Sequence, residues 1–139
     1  MAYWLFKTEA ETFSWDEQKA RGVKGEPWSG VRNHQAKLNM MKMKKGDRGF
    51  FYHSGEERQI VGVVEVAKEH YPDHTDATGK FGMVDVKAVM PVKTPVTLAA
   101  IKADPRLKDM LLVRHSRLSV SPVGEEHWKI ICEMAGIKP

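Results

Sequence analysis

A single cysteine, Cys132, occurs in the 139 residues, so no intramolecular disulfide can form. No apolar run approaches the ~20 residues that cross a bilayer. The opening stretch from Met1 to Lys7 also lacks the basic start and apolar length of a signal peptide. The expectation is a soluble chain of the cytoplasm, or of the nucleus in a eukaryote. Linkers rich in Pro, Gly or Ser, internal repeats and low-complexity tracts are missing as well. One domain over residues 1–139 is therefore expected, long enough to bury a core without metals or a partner chain, and a monomer. No Gly-rich loop opens a helix, which disfavours nucleotide-hydrolysing and dinucleotide-binding enzymes, and no cofactor is expected. Zinc is disfavoured by the lack of paired cysteines or an H-E-x-x-H run. His70 and His74 have H-x-x-x-H spacing, but Pro72 between them breaks the helix that would align two imidazoles and argues for a loop.

Charge is present and unevenly placed. The net charge is +4 from 22 Lys plus Arg against 18 Asp plus Glu. Residues 32–48 carry +5 and residues 87–117 another +5, around a middle stretch 49–86 of −4. Two basic segments meeting on one face would attract phosphate, because backbone electrostatics dominate nucleic-acid affinity. The alternative is a solvated lysine surface that only maintains solubility.

The pattern of elements is mixed. Tyr3 to Lys7 reads as a strand. Ser14 and Glu17 have capping-box spacing and start a helix over Trp15 to Ala20. Asn33 is a fitting N-cap for a helix running to about Met43. Strands follow at Arg48 to Ser54, Ile60 to Val66 and Gly82 to Met90, rich in β-branched and aromatic residues. Thr97 and the Asp104-Pro105 pair open short helices, and Leu118 to Val120 reads as a last strand. Glu125 to Ala135 is a closing helix with Trp128, Ile131, Cys132 and Ala135 on one stripe and Gly136 as its stop. Three consecutive strands with short connections exclude strict βα alternation. The fold class expected is α+β, with a curved mixed or antiparallel sheet, partly closed, and helices packed around it.

Few residues carry obvious catalytic chemistry. Cys132 lies on an apolar helix stripe, where a thiol is an inert small hydrophobe. His53 and Ser54 are neighbours in a strand and point to opposite faces, so they cannot pair as base and nucleophile. Trp4, Trp15 and Trp28, by contrast, all fall early in the chain at element ends, mixed with Lys7, Ser14, Arg32 and Asn33. A nucleobase site needs flat apolar faces for stacking and a few directed polar groups for the base edge. The alternative is that these aromatics fill the core of a small domain.

The segments Tyr3-Trp-Leu-Phe-Lys-Thr-Glu9, Phe13-Ser-Trp15, Pro27-Trp-Ser-Gly-Val-Arg-Asn-His-Gln-Ala36, Gly46-Asp-Arg-Gly-Phe-Phe-Tyr-His-Ser54, Ile60 to Val66, Tyr71-Pro-Asp-His-Thr75 and Arg117-Leu-Ser-Val-Ser-Pro-Val123 closely resemble the EVE domain family, in order and over nearly the whole chain. The chain departs from that pattern at Ala10, where proline is usual, at His34, where tyrosine is usual, and in a short Asp76 to Phe81 segment. The resemblance implies a PUA-like curved pseudo-barrel with surrounding helices. It also implies non-catalytic recognition of a modified base in nucleic acid, with 5-methylcytosine-type DNA favoured. A module for modified RNA such as tRNA or rRNA is a second reading. A small hydrolase or deaminase acting on modified nucleosides through His53, Ser54 or Asp73 is a third.

By motif, the base-pocket candidates are Trp4, Lys7, Ser14, Trp15, Trp28, Asn33, His53, Ser54, Tyr71 and Asp73. Trp15 and Trp28 would stack on the base, and Asn33 and Ser54 would read its edge. Arg32, Lys37, Lys42 and Arg117 would hold phosphates, which positions a strand without reading its sequence. Structural duties compete with several of these roles. Asn33 and Ser14 can be helix caps, Trp4 can be core, and Asp73 beside Pro72 can fix a turn.

Overall fold

The computed structural model describes all residues 1–139. Strand β1 (Tyr3–Glu9) leads to helix α1 (Trp15–Ala20), a two-residue strand β2 (Glu26–Pro27) and helix α2 (His34–Lys42). A meander follows: β3 (Arg48–Ser54), β4 (Gln59–Pro72) and β5 (Gly82–Thr97). The chain closes with α3 (Leu98–Ala103), α4 (Leu111–Arg114), β6 (Val120–Val123) and α5 (Glu125–Ala135). The six strands form one sheet in the order β2-β5-β4-β3-β1-β6. β1 and β3 pair in parallel, since α1, β2 and α2 supply the crossover between them, and every other pair is antiparallel.

Local rules place α1, α2, α3 and α5 where the sequence predicts them, whereas the start expected at Asp104-Pro105 gives only a three-residue 3-10 turn, Pro105–Leu107, and α4, which no side chain caps, was not foreseen. Glu17 N–H donates to Ser14 Oγ at 3.1 Å and Ser14 N–H to the Glu17 carboxylate at 3.1 Å, a complete capping box. Asn33 caps α2 and Thr97 caps α3, while Gly136, at φ +72°, ends α5 in the left-handed conformation.

The strands differ more from expectation. β4 and β5 run well past Val66 and Met90, because irregularities at four points of their ladder absorb unpaired residues, Pro95 among them. Tyr71 and Pro72 consequently end a strand rather than lying in a loop. The last strand occupies Val120–Val123 rather than Leu118 to Val120 because its partners are Tyr3 to Phe6 of β1. The bulges also curve the sheet.

Alternation along the strands sends side chains to two cores. Leu5, Phe50, Tyr52 and Val63 join α3, α4 and α5 on one face. Trp4, Phe6, Phe51, Val64 and Val66 join Trp15, Trp28 and α2 on the other. On that second face Gly62 is required by close approach, since a Cβ there would lie 2.4 Å from the Trp15 ring. No helix is long and apolar enough to cross a membrane.

Candidate functional site

At one rim of the second face a cavity of about 410 Å³ opens between the outer end of β1, the turn before α1 and the segment leading from β2 to α2. Its size falls within the range of small-ligand sites. Lys7, Phe13, Glu26, Trp28, Arg32 and Asn33 are among its walls.

The segment from Trp28 to Asn33 is shaped by backbone hydrogen bonds and by one buried carboxylate. Trp28 N–H donates to Val84 O at 2.7 Å, continuing the pairing of β2 with β5. Gly30 takes φ +81°, a conformation natural to glycine, and turns its N–H onto Asp73 Oδ2 at 2.8 Å. Arg32 Nη1 donates to the same oxygen at 3.1 Å and Nη2 to Thr75 Oγ1 at 3.0 Å. Thr75 donates to Asp73 Oδ1 through its N–H at 2.7 Å and its hydroxyl at 2.6 Å. Burial pushes the Asp73 carboxyl up, but the hydrogen bonds from Thr75, Gly30 and Arg32 outweigh it and hold the group at about 2. Asp73 thus latches the cavity wall to the β4–β5 connection.

Trp28 is the tryptophan that lines this cavity. It is 7% exposed, and its ring neighbours Phe6, Phe13 and Phe51 meet it at 68°, 82° and 87°. No aromatic ring lies parallel to it. Phe13 stands at right angles to it on the cavity wall, with the Arg21 guanidinium 5.5 Å from its centroid.

Polar groups complete the site. Asn33 Oδ1 accepts from Ala36 N–H at 2.9 Å as the α2 cap, which commits the carbonyl oxygen and orients the amide Nδ2 as a donor. Capping and cavity lining are therefore compatible in one side chain. Lys7 donates to the Ser116 carbonyl, and burial lowers its pKa. Beyond Asn33 lies a second cleft, of about 370 Å³, formed by Asn33 and Gln35 facing Arg114 to Leu118. Its two arginines, Arg114 and Arg117, come from the second basic segment, and the first contributes the neutral Asn33 and Gln35.

The cavity gathers Lys7, Trp28, Arg32 and Asn33, and the adjoining cleft holds Arg117. The other predicted pocket residues lie outside both. Trp4 is buried, its Nε1 donating to Asp47 at 3.1 Å. Ser14 caps α1. Trp15 packs edge-on against Phe51 and over Gly62. His53 accepts from Trp15 N–H at Nε2 (3.0 Å), which leaves Nδ1 to donate to Glu57 at 2.5 Å. Ser54 is half-buried at the end of β3. Tyr71 bonds Asp85; burial, that bond and the neighbouring carboxylates push its phenol up to about 12. Lys37 lies 5.7 Å from the Phe81 ring, Arg32 is committed to Asp73 and Thr75, and Lys42 is exposed on the last turn of α2.

Sequence reasoning missed Phe13, Glu26 and Ser119. Phe13 was findable as an aromatic in the turn before Trp15, whereas Glu26 and Ser119 reach the cavity only through sheet pairing and the return of the chain. No group of three His, Cys, Asp or Glu side chains converges to hold a metal.

Residues 2–134 match the model of the family described as the EVE domain. The solution structure of a Rhodopseudomonas palustris protein is 60% identical and superposes with a TM-score of 0.93, covering 98% of this chain and 94% of that one. Human THYN1, in a crystal structure with 5-methylcytosine-containing DNA, is 32% identical with a TM-score of 0.92, covering all of both chains. The YTH domain of Zygosaccharomyces rouxii MRB1 superposes with a TM-score of 0.60 at 14% identity, over 99% of this chain and 86% of that one, a likeness of fold alone. The curved six-stranded mixed sheet with its helices is the PUA-like fold these proteins share.

Proposed function

The chain belongs to the EVE domain family, and on that premise we propose that it is a non-catalytic nucleic-acid reader that takes one modified base into the cavity beside Trp28. The single observation carrying this reading is that Trp28 lines a base-sized opening with no parallel ring against it. A flat aromatic guest supplies that missing partner, and stacking contributes roughly 1–3 kcal/mol per base. Phe13, perpendicular to Trp28, presents a second wall. Asn33 Nδ2 donates to a ring nitrogen or carbonyl on the base edge, and Glu26, whose Oε1 accepts from Arg21 Nε at 2.9 Å, keeps Oε2 to accept from an exocyclic amine, the pairing cytosine presents. Flipping a base from a duplex costs a few kcal/mol, so single strands bind with less expense of unstacking. The 5-methylcytosine-containing DNA bound by human THYN1 supports a methylated cytosine as the guest.

In this reading Asp73, Ser14, Trp15 and His53 act behind the wall, holding the loop and α1 in place. A hydrolase or deaminase using His53 and Asp73 draws no support, because both ring nitrogens of His53 and both oxygens of Asp73 are already engaged in structural hydrogen bonds.

Binding of matched oligonucleotides with and without 5-methylcytosine tests the proposal. The modified strand should bind more tightly, with the difference abolished by Trp28→Ala. Equal affinity for both strands in the parent protein sinks it. Competition between DNA and RNA of one sequence at matched salt then assigns the preferred backbone, because both share the salt dependence.

A further inference from the structure

We propose that the cleft between the amino end of α2 and the Arg114 to Leu118 turn seats the phosphodiester backbone flanking the bound base, so that the strand leaves the cavity past Asn33 and over this turn. The inference rests on the base-reading function above and adds to it a path and a set of phosphate ligands.

Continuity comes first. Asn33 belongs to the wall of the base cavity and of the cleft alike, so a nucleotide in one has its sugar-phosphate at the mouth of the other. Lys7, inside the cavity, donates to the Ser116 carbonyl and ties the turn to the cavity floor. The cleft has a single hydrophobic residue, Leu118, among polar and basic neighbours, which suits an anion rather than an apolar ligand.

The cations there are also available. Arg117 takes part in no ion pair. Arg114 pairs only with Asp109 at 2.6 Å, both side chains being well over half exposed, a surface pair that contributes little and is readily exchanged for phosphate. A planar guanidinium meets a phosphate through two parallel hydrogen bonds. Arg32 is different. It is held by Asp73 and Thr75 and keeps the cavity wall in shape, so the path proposed here gives it a positioning role. The lysines Lys44 and Lys45, beyond the carboxyl end of α2, share the charge of the first basic segment but belong to neither opening.

The experiment is a set of binding isotherms over a range of NaCl with a short single-stranded DNA, with and without one 5-methylcytosine. On single strands, each lost phosphate contact lowers the slope of log K against log salt by about 0.7. Arg114→Ala/Arg117→Ala should therefore lose about 0.7–1.4 of slope, weakening both strands equally and leaving their affinity ratio unchanged. Lys44→Ala/Lys45→Ala should keep the parent slope. Arg117→Gln, which spares the Arg114–Asp109 pair, should lose about half of the effect, and thermal unfolding verifies that each variant is folded. An unchanged slope in the arginine variants, or a loss confined to the lysine variant, overturns the proposal. If the parent shows no preference for the modified strand yet the arginine variants lose slope, the base reading fails and the cleft stands. If the preference is intact but the slope does not move, the base reading stands and the cleft fails.

Discussion

Trp128 and Trp28 sit on opposite faces of the same sheet and are packed in opposite ways. Trp128 is sandwiched between Tyr3, at 4.3 Å and 15°, and Phe50, at 4.0 Å and 20°, so both faces of the indole are covered by parallel rings. Trp28 meets three rings, all near perpendicular, and looks into a cavity. The first face is sealed by α5, whose stripe of Trp128, Ile131, Cys132 and Ala135 is fully covered. The second is covered by two shorter helices and a loop, and it stays open where that loop passes between them. Burial alone does not separate the two, which are 2% and 7% exposed. Position separates them: the Trp128 indole is closed between two parallel rings, whereas Trp28 borders the cavity, and Trp15, which also has only an edge-on partner, does not.

Breaking the sealed face should have the largest effect on folding and none on recognition. Trp128→Ala removes both stacks and is expected to cost about 3–5 kcal/mol in denaturant unfolding. The affinity of the remaining folded protein for a modified strand should be unchanged, and a drop there would dissolve the division between the faces.

The latch on the open face should show in acid. Asp73 is held at about 2 in the folded chain against 3.8 without its partners. The unfolded chain therefore binds this proton first as pH falls. The stabilisation is fully present above about pH 4 and is lost between there and pH 2, on the order of 1–2 kcal/mol. Asp73→Asn should be less stable at neutral pH and converge with the parent near pH 2 in urea titrations. A residual acid dependence should remain, because hydrogen bonds from Thr78 and Arg106 hold Asp76 and Asp104 below the usual carboxylate range. Equal differences at both pH values would mean the carboxylate charge is irrelevant.

A finer test separates the two duties of Asn33. Asn33→Ala should cost about 1 kcal/mol of stability by losing the cap, and should weaken binding too. Asn33→Asp keeps an acceptor for Ala36 N–H, and a negative charge suits a helix start, so stability should hold while binding falls with the loss of the Nδ2 donor. If Asn33→Asp binds as the parent does, the side chain is only a cap. The smallest effect belongs again to the sealed face. Burial pushes the Cys132 thiol up to about 11, so alkylation at mild pH should be negligible in the native protein and rapid in denaturant. Ready labelling of the native state would show that face to be less closed than its packing indicates.

Much of the secondary structure was legible because it rests on local rules. The capping box of Ser14 and Glu17, the Asn33 cap and the Gly136 stop each act within one helical turn, and all three appear as read. The ends of β4, β5 and β6 were not legible, because a strand extends as far as its partner allows, and bulges decide that between residues distant in sequence. The same distinction governs the site. The Trp28 to Asn33 motif and Lys7 stood out by composition and resemblance and meet in one cavity. His53, Trp15 and Tyr71 stood out equally and are spent on contacts within the fold.

Short-range pattern and ordered motifs were enough to fix the caps and ends of α1, α2 and α5, the alternation that feeds two cores, and the family to which the chain belongs, whereas α4, which no side chain caps, left no local signal. Which tryptophan lines the cavity, which arginine is tied up by Asp73, and which arginines border the adjoining cleft were settled by tertiary contacts. Those properties depend on partners brought from β5, the β4–β5 connection and the Arg114 to Leu118 turn. No local pattern encodes the distance between groups that only the closed sheet makes neighbours.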